Sequence, residues 1–323
     1  MVNRSEAAAG EIERRRREEA EADSEEIDRT PIRSYWSLVR TRFFRNRLAV
    51  FGFVVLSILA IYAAIIPSVT GDAWRETGLF KGDAPPEIFN EEGDFVFAIL
   101  GYDELSRNLF VRLAKATQTS LIIGLAAVAI IMGIGIFIGS VAGYVGGWID
   151  NVLMRFVDIV LSLPGLFIIL MITAFFGAGN IWVIIFAIGL TGWTTAARLL
   201  RAEFLSLREV DYVQAARALG APPTRIITRH MLPPAMAPIV VAATLGVADS
   251  VVVESALSFL GFGLGGESAS LGTMLQNALN YFFSGPLKVV YPGVILILIV
   301  LAASFLGDGL RDALDPRQRV EAK

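Results

Sequence analysis

The chain has 323 residues, 54% of them apolar and 18% charged, with a mean hydropathy of +0.60 and a net charge of -3. That balance excludes an ordinary pair of soluble domains and leaves nothing basic enough to hold nucleic acid. With no cysteine and one histidine, His230, it also excludes disulfides, thiolate metal sites and a histidine metal cluster, so no metal is expected.

In chain order, residues 1–34 form a charged tail. Its first 30 residues hold ten acidic and six basic side chains and no aromatic one. They suit a solvated segment or a frayed helix in which Glu11 with Arg15 and Glu13 with Arg17 pair at i,i+4. From Tyr35 to Arg47 the aromatics Trp36, Phe43 and Phe44 alternate with arginines, a pattern for a short helix in the headgroup layer.

A membrane span needs about 20 apolar residues, because a helix rising ~1.5 Å per residue must cross ~30 Å of hydrocarbon. Six stretches meet this: residues 48–66, closed by Pro67, then 117–144, 151–176 with a kink at Pro164, 181–200, 237–262 and 291–310. The expected organisation is a tail (1–34), an interfacial helix with the first span (35–66), an external loop (67–115), a five-helix core (116–311) and a second tail (312–323). The core contains an internal loop at 199–236, and the fold class is all-α. With the amino terminus inside, internal segments hold 22 Lys and Arg and external ones 6, which places both termini and that loop in the cytoplasm.

The loop carries the most specific pattern. Asp211-Tyr212-Val213-Gln214-Ala215-Ala216-Arg217-Ala218-Leu219-Gly220 reads as a short alanine-rich helix stopped by a glycine that accepts a left-handed conformation, and Leu232-Pro233 follows twelve residues later. Small residues on such a helix let a partner's groove approach its backbone. This spacing resembles the EAA loop of binding-protein-dependent ABC importer permeases. Ala215, Ala216, Gly220, Leu232 and Pro233 are in register, Gln214 stands in place of the family's Glu, and His230 in place of its Ile. The segments beginning at Gly101, Ala142, Glu254 and Gly307 are similar to those of the dipeptide and oligopeptide permeases, so the likeness covers residues 35–319.

The resemblance implies a type I importer permease, in the cell membrane, that forms the path for dipeptides or oligopeptides with a second, non-identical permease. Two ATPase subunits would bind below it and an external binding protein would deliver substrate. Tyr212, Gln214, Ala215, Ala216, Arg217, Leu219 and Gly220, with Leu232 and Pro233, would form the coupling surface. The chain has no Gly-x-x-x-x-Gly-Lys-Ser/Thr loop, so by that motif it binds no nucleotide. It would be a transport subunit without a cofactor of its own and not an enzyme, its ATP being used by the partner subunits.

Asp249 and Glu254 lie inside the fifth span, where a charge costs ~3 kcal/mol. Five residues apart on a helix, they point about 140° away from each other. Both are candidates for lining the path, or for structural hydrogen bonds. A rival reading makes them the ion-coupling residues of a stand-alone secondary transporter. Gly135, Gly139 and Gly143 form a smooth stripe for a neighbouring helix, either sliding or static. Asp158 is expected to be solvated, and His230 to be a pH-sensitive group or the cap of a basic helix.

Overall fold

A computed structural model of the chain describes residues 35–77, 87–89, 95–103, 105–265, 268–283 and 285–314. Residues 1–34 and 315–323 of the two tails, with 78–86 and 90–94 of the expected external loop, lie outside the described residues. The chain divides into two compact units, Met1–Arg42 and Phe43–Lys323. In the first, residues 37–42 are helical, and Thr41 Oγ1 donates to the Ser37 carbonyl at 2.9 Å.

Helix α1 (Tyr35–Arg45) is followed by α2 (Arg47–Thr70), whose first amides are capped by Asn46. The helix runs through Pro67 instead of stopping there. Proline removes the donor that would reach the Ala63 carbonyl, yet the chain stays helical to Thr70, and the Ser68 and Thr70 hydroxyls bond to the carbonyls of Ala64 and Ile66 in this last turn. A two-stranded antiparallel ribbon, β1 (Glu87–Phe89) and β2 (Phe95–Ala98), interrupts what is otherwise the expected all-helical fold.

Helix α3 (Leu109–Val145), capped by Asn108, has 37 residues and is about 55 Å long. The expected third span is broken, not kinked. Helices α4 (Gly147–Ser162) and α5 (Gly165–Phe176) meet at 80°. Proline disfavours the helical conformation of the residue before it, and Leu163 is extended (φ -94°, ψ 137°), with Pro164 opening the second helix. Then come α6 (Ile181–Leu207) and the short α7 (Asp211–Ala218). A single turn at Pro223–Arg225 and a π-helical turn at Ile226–Met231 lead into α8 (Leu232–Phe259). Between the last two spans lies α9 (Leu271–Ala278), for which the sequence had suggested nothing, before α10 (Leu287–Leu314).

Helix directions follow from the close approaches. A Cβ on Gly135 would sit 2.5 Å from Ala196 Cβ, one on Gly139 2.6 Å from the Ala197 carbonyl oxygen and one on Gly143 2.5 Å from Phe204 Cβ. In return Gly189 and Gly192 of α6 admit Ile130 and Ile131. Residue numbers rise together along both helices, so α3 and α6 are parallel. The α4–α5 pair must therefore carry the chain from one end of α3 to the other, as one broken span and not a re-entrant loop. Its packing agrees: Met154 and Val157 lie with Trp193 and Ala197, while Ile169 lies with Ile184 and Ile188.

Helix α8 runs antiparallel to α3, with Gly124 against Val247 and Val251 and Gly246 against Val128. Helix α10 runs antiparallel to α2: Gly309 packs on Ala49, Gly52 on Ala302, and Asn46 donates to Asp312 at 3.4 Å. Tyr62 donates to the Phe110 carbonyl at 2.7 Å, tying the far part of α2 to the start of α3. The start of α2, the end of α3, the end of α6, α7, the start of α8 and the end of α10 therefore share one end of the bundle, here termed the loop end. Exposed Phe51, Ile58, Phe167, Phe175 and Ile297 give the outer faces of α2, α5 and α10 an apolar surface suited to hydrocarbon.

Candidate functional site

At the loop end, α7 is held by one side chain. Val213 is 0% exposed and joins Leu200 and Phe204 of α6, Ile226 and Met231 of the connecting turns, and Ala235 and Ile239 of α8. The other side chains of α7, except half-buried Ala216, face outward. Tyr212 is 44% and Leu219 88% exposed, and Gln214, Ala215 and Arg217 are also exposed. The Gln214 side-chain amide donates to the Glu209 carbonyl at 3.1 Å, and the Arg217 guanidinium lies 5.3 Å from the Tyr144 ring centroid.

The helix ends as its glycine requires. Gly220 has φ +77°, its amide bonds to the Arg217 carbonyl, and the Ala221 amide reaches back to Ala216. This is a Schellman motif, which satisfies two carbonyls at the helix end and turns the chain sharply. Leu232 is half-buried and Pro233 exposed, at the start of α8. His230 does not cap a helix end. It is half-buried inside the π-helical turn, which flows directly into α8. Pro233 and Pro234 cannot donate to the preceding turn, and a wide turn accommodates them without ending the helix.

Sequence reasoning found the outward surface of this loop and missed its inward anchors, Val213, Ile226 and Met231. It also missed a bidentate ion pair beside them, in which Arg201 of α6 donates to both oxygens of Asp150 at 2.5 and 2.6 Å. A basic residue near a helix end and an acidic residue 51 positions earlier carry no signal of pairing in a single sequence. Asp158, expected to be only solvated, forms a half-exposed pair with Arg198 at 2.5 Å.

The two intramembrane acids have different surroundings. Glu254 is 0% exposed and accepts hydrogen bonds from Ser120 of α3 and Ser258 of α8, each at 2.7 Å. Ser120 Oγ in turn accepts the Leu271 amide at 3.2 Å, which joins α8, α3 and α9 through one carboxylate. A Cβ on Gly272 would collide with Ser255, so α9 lies directly on the α8 backbone. Asp249 instead faces a cavity of about 370 Å³ walled by α3, α5, α6 and α8. At the end opposite the loop, a second, polar cavity of about 990 Å³ holds Asp72, Arg75 and Lys115, with both cations near the ring of buried Trp74.

Residues 135–320 match the family model of the binding-protein-dependent transport system inner membrane component, and residues 34–81 match the N-terminal TM domain of oligopeptide transport permease C. The chain belongs to this family of transport components. It is 36% identical over 287 residues to the oligopeptide transport system permease protein OppC of Haemophilus influenzae, covering 89% of this chain and 90% of that one. It is also 36% identical over 300 residues to the dipeptide transport system permease protein DppC of Bacillus subtilis, covering 93% and 90%. A chain of the MetNI methionine ABC transporter, solved in inward-facing conformations, shares the fold, with a TM-score of 0.52 and 19% identity over 63% of this chain and 96% of that one. The family and the long apolar helices make this a multi-pass membrane protein of the ABC importer permease class.

Proposed function

We propose that the chain is the permease subunit of an ATP-driven importer of dipeptides or oligopeptides, forming the path with a second, non-identical permease. The loop end faces the cytoplasm, as the excess of Lys and Arg in its segments favours, and both termini lie there. Two ATPase subunits bind at that end, and a binding protein delivers substrate at the other.

The observation that carries this reading is the construction of α7. An eight-residue helix with one buried side chain offers Tyr212, Gln214, Ala215, Arg217 and Leu219 to solvent. Its single anchor, Val213, reaches a cluster shared by α6 and α8. A force applied to the outward face by closing nucleotide sites would pass through Val213, Ile226 and Met231 into two spans at once. Interiors packed at crystal density transmit displacement because they compress little. Asp249 on the α8 wall is the path-lining acid, and Glu254 sets the geometry of the helices around it. The stand-alone secondary transporter would need both acids accessible to an ion, and Glu254 is fully buried among serine hydroxyls.

The test is reconstitution with the partner permease, ATPases and binding protein in liposomes, comparing ATP-dependent peptide uptake with that of Gly220→Asp. Loss of uptake and of ATPase association, with folding retained, is expected. Normal uptake by the variant, or transport by this chain alone under an ion gradient, would overturn the reading.

A further inference from the structure

Asp249 is level with the middle of α3, since the neighbouring α8 residues Gly246 and Val251 meet Val128 and Gly124. A carboxylate at such depth costs ~3 kcal/mol unless a cation or water meets it. Among the described residues no hydrogen bond or ion pair involves it, not even from the first amides of α5, which line the same cavity. It is exposed and, among the described residues that wall the cavity, is the only charged group. Of the three hydroxyls there, Thr191 is committed to the carbonyls of Ala187 and Ile188 and Ser250 is buried at 2% exposure, which leaves Thr195 as the exposed one on a largely apolar surface. At about 370 Å³ the cavity is large enough for a small ligand.

One negative charge and one exposed, uncommitted hydroxyl on a largely apolar wall suit a ligand with a single cationic group and side chains of varied shape. Resting on the peptide-importer reading, we propose that Asp249 anchors the protonated amino terminus of a short peptide in this cavity, with Thr195 as an accessory contact. The site reads the group common to all unmodified peptides and has no second charge with which to select a side chain. Such a pair is made in a site of low dielectric, where a charge-assisted hydrogen bond is stronger than in water.

The experiment uses the permease pair with its ATPases in nanodiscs, without binding protein, so that the binding protein's own selection does not enter. The probes are trialanine, its N-acetyl derivative and its carboxy-terminal amide, titrated against wild type, Asp249→Asn and Asp249→Glu. In wild type, acetylation should weaken binding roughly tenfold to a hundredfold, and amidation should leave it unchanged. Asp249→Asn should weaken trialanine by a similar factor and make acetylation cost nothing further, while Asp249→Glu keeps part of the affinity. That loss of additivity is a readout that a merely structural aspartate would not give. An equal acetylation penalty in wild type and Asp249→Asn overturns the proposal, as does a wild-type complex that does not bind trialanine. So does failure of Asp249→Asn to co-purify with the partner permease, which would assign the carboxylate to a cation of that subunit. Trialanine uptake by the complete importer is measured in parallel. Uptake that Asp249→Asn leaves intact sinks the anchor and spares the importer reading, whereas no uptake by wild type sinks the reading itself.

Discussion

Two helices of eight residues flank α8, one at each end, and they are built in opposite ways. Helix α7 buries only Val213 fully and, apart from half-buried Ala216, turns its other side chains outward. Helix α9 buries Leu271, Gly272, Thr273, Met274 and Ala278, opens on a Ser270–Thr273 capping box, and rests on a carboxylate shared with α3. A helix this short has little stability of its own in water. Each therefore depends on tertiary contact, and the amount of contact separates an outward-facing segment from a fixed part of the bundle.

That contrast can be broken most forcefully at Glu254. Glu254→Ala would leave the Ser120 and Ser258 hydroxyls without their acceptor and open a void beneath α9, a loss of about 3 kcal/mol. The chain has no cysteine, so a thiol placed by Met274→Cys, a buried position, reports on α9 alone. Maleimide labelling should be slow in the Glu254 background and at least about tenfold faster with alanine there. Equal rates would mean that α9 is not held by this carboxylate.

The next effect is expected in the seam between α3 and α6. Gly139→Leu forces a side chain against the Ala197 carbonyl, where overpacking costs about 1–3 kcal/mol, whereas Gly133 on the same helix faces open space. Thermal unfolding in detergent should therefore drop for Gly139→Leu and stay near wild type for Gly133→Leu. A seam that slides freely would tolerate both, and the close approach at three successive glycines argues for static packing.

A smaller change is expected at the end of α7. Gly220→Ala meets no neighbour, so its cost is the left-handed backbone alone, roughly 1–2 kcal/mol and confined to this turn. Hydrogen exchange should quicken at the amides of Leu219, Gly220 and Ala221 and nowhere else, and Gly220→Asn should exchange at an intermediate rate.

These residues also mark what a single sequence discloses. Apolar runs fixed the places of α2, α3, α6, α8 and α10, because hydrocarbon thickness sets a minimum length that composition can reveal. The break at Leu163–Pro164 was legible as a proline but not as an 80° turn, since the angle depends on how α5 packs on α6. Helix α9 was missed because its residues are neither apolar enough for a span nor periodic over enough turns. Its cap, Ser270 followed by Thr273, lacks the acidic or amide residue that usually flags such a start. In the loop, the glycine and the alanines announced the outward surface. The inward anchor Val213 gave no signal, because one valine in eight residues makes no pattern. Asp249 and Glu254 looked alike as charges in an apolar run, and only the serines of two helices, Ser120 of α3 and Ser258 of α8, distinguish them.

The mildest substitution bears most directly on the role of α7. Leu219 is 88% exposed and follows the last helical residue, so Leu219→Ser removes no buried area and should change stability by less than about 0.5 kcal/mol. An exposed leucine beside Tyr212 and Ala215 is nevertheless the kind of side chain that fills a partner's groove, where burying it is worth ~1.5–3 kcal/mol. Affinity for the ATPase subunits, titrated in nanodiscs, should thus fall by roughly tenfold to a hundredfold while melting temperature stays constant. A parallel fall in both would make Leu219 part of the fold and leave α7 without a free face. Unchanged affinity would move the contact elsewhere on the loop end, with Tyr212 the next residue to truncate.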